Sequence, residues 1–281
     1  MGQGIAITCA SAGLDVLLRE RSAELAAASL SAVDEHLDRD IAKWRRTDSE
    51  KRAILARIRT VEAMAALEAA QLVVEAVPED LQLKIAIFQE LDRLCPPEDI
   101  LATNTSTLSV TEIAARTKRP DRVIGLHFLM PVPRVPLVEM VRGLATSEET
   151  YRAALEFVRV LGKTGVEVFE YPGYVTTRTI LPFLNEAMHI VMEGVASAEA
   201  VDTSMRLGYG LPVGPLALAD RMGLDEVMRW MQYLFAELGD FKYRPCPMLR
   251  KMIRAGRLGV KSGKGFFEYD EDGNLKAGQQ A

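Results

Sequence analysis

Cysteine is scarce and scattered. Cys9, Cys95 and Cys246 are the three in 281 residues, widely spaced and odd in number. They form no metal-ligand spacing and point to a reducing compartment. Long apolar runs are lacking as well. No stretch approaches the ~20 apolar residues that span a bilayer, and no secretory leader is visible. A membrane partner is therefore not expected, and the cytoplasm is the default. Positive charge is in deficit, giving a net charge of −5. That balance provides no general attraction to nucleic acid or anionic lipid. An anionic ligand must instead be held by local basic residues or helix N-termini. Internal repeats and low-complexity segments are absent.

One motif is present only in part. Met1-Gly2-Gln3-Gly4-Ile5-Ala6 opens an Ala-rich helix ending near Gly13, and residues 14–18 then read as a strand followed by Arg19-Glu20-Arg21. In the dinucleotide fingerprint, a strand and a Gly-x-Gly turn come before such a helix. Neither is here. Gly2 stands where the third glycine, the one that lets helix and strand pack closely, belongs. Glu20 stands where the ribose-binding acid belongs. The missing strand would be the central one, so its neighbours would lose ladder partners. The chain is therefore expected to start upstream of Met1. A genuine truncation that binds cofactor poorly is the rival reading. A carboxylate at Glu20 accepts from ribose hydroxyls and repels a 2′-phosphate, which favours NAD over NADP. Arg19 and Arg21 weigh the other way, since an arginine could receive that phosphate.

What is there is ordinary globular protein, 48% hydrophobic and 26% charged, long enough for two domains. Short apolar runs at 100–103, 123–128 and 137–141 read as buried strands. Ser106, His127 and Glu139 each sit at or near one of them. In a doubly wound sheet, reactive side chains collect where strands end. A hydroxyl, an imidazole and a carboxylate suit removal of a proton from an alcohol: the imidazole takes the proton, the carboxylate orients the ring and favours its charged form, and the hydroxyl grips the oxygen. Singly, each has a plainer explanation. His127 alone would be a core histidine, Glu139 an edge-strand charge, and Ser106 a helix cap. Their joint order and spacing shift the balance.

Asn104-Thr105-Ser106, then His127-Phe128 with Pro131, then Val138-Glu139 resemble the L-3-hydroxyacyl-CoA dehydrogenases, including the bacterial 3-hydroxybutyryl-CoA dehydrogenases. The likeness extends over essentially the whole chain. It implies an α/β fold: a doubly wound Rossmann-type sheet over 1–170, lacking its first strand, and an all-helical domain over 171–281. It also implies NAD as cofactor, an acyl-CoA substrate, and a homodimer through the helical domain. Residues 22–46 read as one long helix with Leu30, Val33, Leu37, Ile41 and Trp44 as its buried stripe. His36, Arg39 and Lys43 fall on another face. Such a stripe is ordinarily solvated, but in the resembling family Lys43 and His36 match positions that contact coenzyme A. Glu79 and Lys84 match positions near the nicotinamide half of the cofactor, and Ser106 one that touches both cofactor and substrate.

After Tyr171-Pro172-Gly173 the pattern is helical. Ile180, Phe183, Leu184, Ala187 and Ile190 predict a buried stripe, and Met222, Met228, Trp230 and Met231 a soft face for core or dimer contact. Gly214-Pro215, a run ending in Asp220, and Gly223-Leu224-Asp225 recur in the family in this order. The closing Gly259–Phe267 segment resembles the family's last motif, with Lys261 at a cofactor-approaching position; a flexible basic loop is the equal alternative. Two positions depart from the family pattern. Met130 and Thr177 stand where the family usually carries Asn. Thr177 retains one hydrogen bond of the catalytic amide, and Met130 offers almost none. The expected reaction is hydride transfer from C3 of an L-3-hydroxyacyl-CoA to NAD+. A weakly catalytic CoA- or nucleotide-binding remnant, or a dehydrogenase of another hydroxy acid, are the alternatives.

Overall fold

In the computed structural model, which describes residues 1–276, the chain divides into Met1–Tyr171 and Pro172–Ala281. The first unit begins with helix α1 (Gly2–Ser11), strand β1 (Val16–Arg19), helices α2 (Ala23–Ala42) and α3 (Asp48–Arg57), and strand β2 (Ile58–Val61). It continues with β3 (Leu72–Glu75), α4 (Leu81–Leu94), β4 (Ile100–Thr103), α5 (Val110–Ala114), β5 (Val123–Phe128), β6 (Leu137–Arg142), α6 (Glu148–Val160) and β7 (Thr164–Phe169). Helix starts follow from side-chain caps. Ser22, Asp80, Ser109 and Ser147 each accept a backbone N–H of the first turn, and Thr47 with Glu50 forms a capping box. Because Ser109 caps α5, Ser106 stays in the turn between β4 and α5.

The strands form a two-stranded sheet, β1-β2, and a five-stranded sheet, β3-β4-β5-β6-β7. β1 and β2 are parallel, as are β3, β4 and β5. β6 runs antiparallel to β5, and β7 runs parallel to β6. The 129–136 loop is too short for the crossover that parallel pairing needs. β4 and β5 are buried along their whole length, as continuous apolar runs predict. β1 and β3 each pair along one edge only and are mostly half-buried.

α1 is apolar on two sides and serves two cores. Ile5 and Cys9 pack with Ile124, Leu126, Phe128 and Met140. Ala6, Ile7 and Ala10 pack with Val33, Leu37, Ile54 and Ile58. At the start of α1 a close approach occurs at Gly4. A Cβ on Gly4 would stand 3.1 Å from Val132 Cβ, whereas at Gly2 its nearest neighbour, Ala76 Cβ, is at an ordinary 4.0 Å. α2 also differs from its periodicity. It ends at Ala42, short of 46, because Trp44 takes φ 55°. Trp44 is 96% exposed and so leaves the stripe. The buried positions of α2 are Ala26, Ser29, Val33, Leu37 and Asp40.

The second unit holds α7 (Thr176–Met192), α8 (Ala198–Tyr209), α9 (Pro215–Met222), α10 (Leu224–Leu238) and α11 (Pro247–Arg254). The buried face of α7 is rotated from the expected stripe to Leu181, Leu184, Ala187 and Met188, with Ile180, Phe183 and Ile190 at its margin. Met228 and Met231 are core, and Met222 and Trp230 are partly buried against it. Two buried carboxylates organise the backbone here. Asp202 accepts the N–H groups of Leu216 and Ala217. Asp220 accepts those of Phe266 and Phe267 and the Tyr269 hydroxyl, each at 3.0 Å. A Cβ on Gly265 would overlap the Asp220 carboxylate, so that glycine lets the closing segment reach it.

Candidate active site

His127 lies near the end of β5, directly opposite Glu139 on β6. Antiparallel partners in register project to the same face, and His127 Nδ1 stands 2.6 Å from Glu139 Oε2. Both side chains are buried. Ile124, Leu126 and Phe128 point into the core, so alternation sends His127 to the other face of the sheet. With Nδ1–H donated to the carboxylate, the neutral ring carries its basic lone pair on Nε2.

The Asn104–Thr107 turn emerges beside this pair, because Thr103 of β4 is in register with Gly125 of β5. Asn104 Oδ1 accepts the Phe128 N–H at 2.9 Å. Glu79 Oε1 accepts the Thr105 hydroxyl at 2.6 Å and the N–H groups of Ser106 and Thr107 at 2.9 and 3.1 Å. One carboxylate oxygen thus holds the turn that carries Ser106.

Beneath it lies a buried charge network. Lys84 Nζ donates to Glu75 Oε1 and Oε2 at 2.8 and 3.0 Å and stands 3.6 Å from Glu79 Oε2. The Thr103 hydroxyl donates to Glu75 Oε2 at 2.7 Å. Lys84 is 0% exposed. Its ammonium is therefore spent inside the protein, where it supports the turn from below; a direct contact with cofactor is not what this geometry offers. Glu75 and Thr103 escaped the sequence reading. An acid ending an apolar strand, with a lysine nine residues on, was the available signal.

Glu20 follows β1. Its Oε1 accepts the Ser29 hydroxyl at 2.6 Å, and Ser29 in turn accepts from the Gln3 amide at 3.2 Å. Arg19 Nε donates to the Glu62 carbonyl at 3.2 Å. The other Glu20 oxygen has no hydrogen bond among the described residues, and an ionised acceptor there fits ribose hydroxyls. His36 is half-buried, with Nε2 3.7 Å from Asp40 Oδ2. Burial lowers its pKa from the ordinary histidine value; Asp40 opposes this and the neighbouring arginines add to it. Lys43 caps the C-terminus of α2 and is exposed, with no ion pair among the described residues.

The sheet unit therefore brings Ser106, Glu79, His127 and Glu139 to one end of the larger sheet. Gly2, Glu20, His36 and Lys43 belong to the α1–α2 segment. In the helical unit, Thr177 is buried in the first turn of α7. Lys261 lies in a short 3-10 turn, Val260–Ser262, with its ammonium 2.6 Å from Asp225. The thiols take no part. Burial pushes Cys9 up to about 12 and raises Cys95 and Cys246 as well, so none is a ready nucleophile.

A Rossmann-type sheet with an imidazole–carboxylate pair at its strand ends, followed by a helical unit, defines a nicotinamide-dependent oxidoreductase. Comparison with known proteins gives the family. The chain matches the model of the 3-hydroxyacyl-CoA dehydrogenase NAD-binding domain over residues 1–171 and that of the C-terminal domain over 173–269. It is 50% identical to the "Probable 3-hydroxybutyryl-CoA dehydrogenase" of Bacillus subtilis, over 96% of this chain and 94% of that protein. Its fold is similar to crystal structures of M. tuberculosis FadB2, with a TM-score of 0.93, 39% identity and 95% of each chain covered. It also resembles the (S)-3-hydroxybutyryl-CoA dehydrogenase PaaH1 of Ralstonia eutropha, with a TM-score of 0.89, 42% identity and 96% of each chain covered. The chain belongs to the 3-hydroxyacyl-CoA dehydrogenase family, and its cofactor is NAD.

Proposed function

We propose that this protein oxidises the C3 hydroxyl of an L-3-hydroxyacyl-CoA to the 3-oxoacyl-CoA, reversibly. The observation that carries the reading is the buried His127–Glu139 pair at 2.6 Å, set beside the Asn104–Thr107 turn. His127 takes the hydroxyl proton at Nε2. Glu139 fixes the ring and offsets the positive charge that develops on it. The Ser106 hydroxyl grips the reacting oxygen, and Thr177 adds a hydrogen-bonding group. NAD+ supplies the hydride acceptor when bound. Gly2, Glu20, Glu79, Ser106 and Lys261 would hold it, with Lys84 supporting the turn. His36, Lys43 and Ser106 would hold the coenzyme A portion of the substrate.

Residues 1–170 form the NAD-binding domain in this reading, and 171–281 the substrate and dimerisation domain. Leu207, Tyr209 and Phe241, large and exposed on the helical unit, support a homodimer through it. Three free, buried thiols support a reducing, cytoplasmic setting. NADH absorbance tests the activity with L-3-hydroxybutyryl-CoA, its D-enantiomer and free 3-hydroxybutyrate. Turnover should be confined to the L-thioester. Turnover of the free acid alone, or NAD binding with no turnover of any of the three, would overturn the reading. Sedimentation equilibrium reads the oligomeric state, and a monomer would refute the dimer.

A further inference from the structure

Three guanidinium groups share one carboxylate in the sheet unit. Asp40, in the last turn of α2, is buried. Arg45 stands 3.6 Å and Arg134 3.5 Å from its Oδ1, and Arg46 3.6 Å from its Oδ2. None of the three arginines has another ion pair among the described residues. These separations exceed hydrogen-bond length, and Asp40 Oδ1 carries no hydrogen bond. Asp40 therefore gathers the arginines by charge and leaves their donors unsaturated. One carboxylate against three guanidiniums leaves two positive charges uncompensated. Like charges this close repel, and an anion is the natural fifth member of the cluster.

A cavity gives that anion a place. Arg46 and Arg134 line a space of about 420 Å³ with Thr8, Ser11 and Lys163, and no acidic residue lines it. The buried Lys163 ammonium donates to the carbonyls of Val132 and Val135 at 2.7 and 2.6 Å. It has no carboxylate partner among the described residues. A second cavity of about 260 Å³, lined by His36, Arg39 and Met130 among others, shares Pro133 with the first.

We propose that Arg46 and Arg134, gathered by Asp40, bind the 3′-phosphate of coenzyme A. The proposal rests on the acyl-CoA reading given above. A phosphomonoester carries close to two negative charges and three acceptor oxygens at neutral pH. That matches both the excess charge and the unsaturated guanidinium forks. The position is also consistent. His36, assigned to the coenzyme, is 3.7 Å from Asp40, and Lys43 caps the same helix end. A coenzyme lying along the end of α2 thus reaches the arginines.

The test compares coenzyme A with 3′-dephospho-coenzyme A by isothermal titration, and their L-3-hydroxybutyryl esters by steady-state kinetics. The wild-type protein should prefer the phosphorylated forms by at least about tenfold, in Kd and KM rather than kcat. Arg46→Gln with Arg134→Gln should bring that preference below about threefold. Equal wild-type affinity for the two coenzymes overturns the proposal without any variant. An equal loss for both coenzymes in the double variant places the arginines on the pyrophosphate and also overturns it. So does inorganic phosphate that stabilises the wild type equally with and without bound coenzyme A, since the cavity then takes free phosphate. If coenzyme A binds with the expected preference but neither ester is turned over, the dehydrogenase reading fails and this assignment stands.

Discussion

Replacing Glu139 by Gln keeps the shape of the side chain and removes its charge. The carboxylate lies 2.6 Å from His127 Nδ1, and both groups are buried. With an effective dielectric of about 20, Coulomb's law gives about 6 kcal/mol of attraction to an imidazolium at this distance, which is a ceiling. The net contribution of a charge-assisted hydrogen bond is lower, about 1.5–3 kcal/mol. If His127 carries the proton in the transition state, Glu139→Gln should lower kcat about ten- to a hundredfold. The alternative amide orientation presents an N–H to Nδ1, moves the ring proton to Nε2 and makes the loss larger. The assay is NADH formation with both substrates saturating, in wild type, Glu139→Gln, His127→Gln and the double variant. His127→Gln should lose at least about 10² in turnover. Adding Glu139→Gln to it should cost less than about threefold more, because the carboxylate acts through the ring. A Glu139→Gln enzyme within about twofold of wild type, or fully additive losses, would refute the pair as the proton acceptor.

Two further outcomes follow from buried charges. Lys84→Met leaves Glu75 buried without its ammonium and should lower the unfolding free energy by about 3–5 kcal/mol in urea. A loss below about 1 kcal/mol, with a raised KM for NAD, would instead return Lys84 to direct contact with the cofactor. Asp220 is pushed up from 3.8 to about 6 by burial, against the opposing hydrogen bonds from Phe267, Phe266 and Tyr269. The folded protein therefore holds this proton over a pH range in which the unfolded chain releases it. Stability from this group is present near pH 4 and is lost as pH rises through about 6. The stability gap between wild type and Asp220→Asn should widen by up to about 3 kcal/mol as pH falls from about 7 to about 4. Thermal melts across that range check it, and a constant gap would show that Asp220 does not titrate there.

Local pattern located most of the secondary structure. The continuous apolar runs at 100–103 and 123–128 became β4 and β5 with those bounds, because a strand buried on both faces needs no polar alternation. The apolar spacing of α2 continues to Trp44, beyond the helix end at Ala42, while the backbone there turns to φ 55°. Periodicity counts side chains and does not register a left-handed residue. The buried face of α7 departs from the periodic stripe for a related reason. Neighbouring apolar residues, Ile180 beside Leu181 and Phe183 beside Leu184, leave the phase of the buried face to its packing partners.

The sequence by itself determined the order of strands and helices, the two-unit division of pattern at Tyr171–Gly173, and the motifs carrying His127, Glu139 and Ser106. Those follow from residue type and spacing along the chain. Only the tertiary structure decided that His127 and Glu139 face each other across antiparallel strands, and that Lys84 is sealed against Glu75. It alone decided that three arginines converge on Asp40. Each of these joins residues through strand register, burial or a change of chain direction, and a linear pattern does not encode which distant charges will share one dry site.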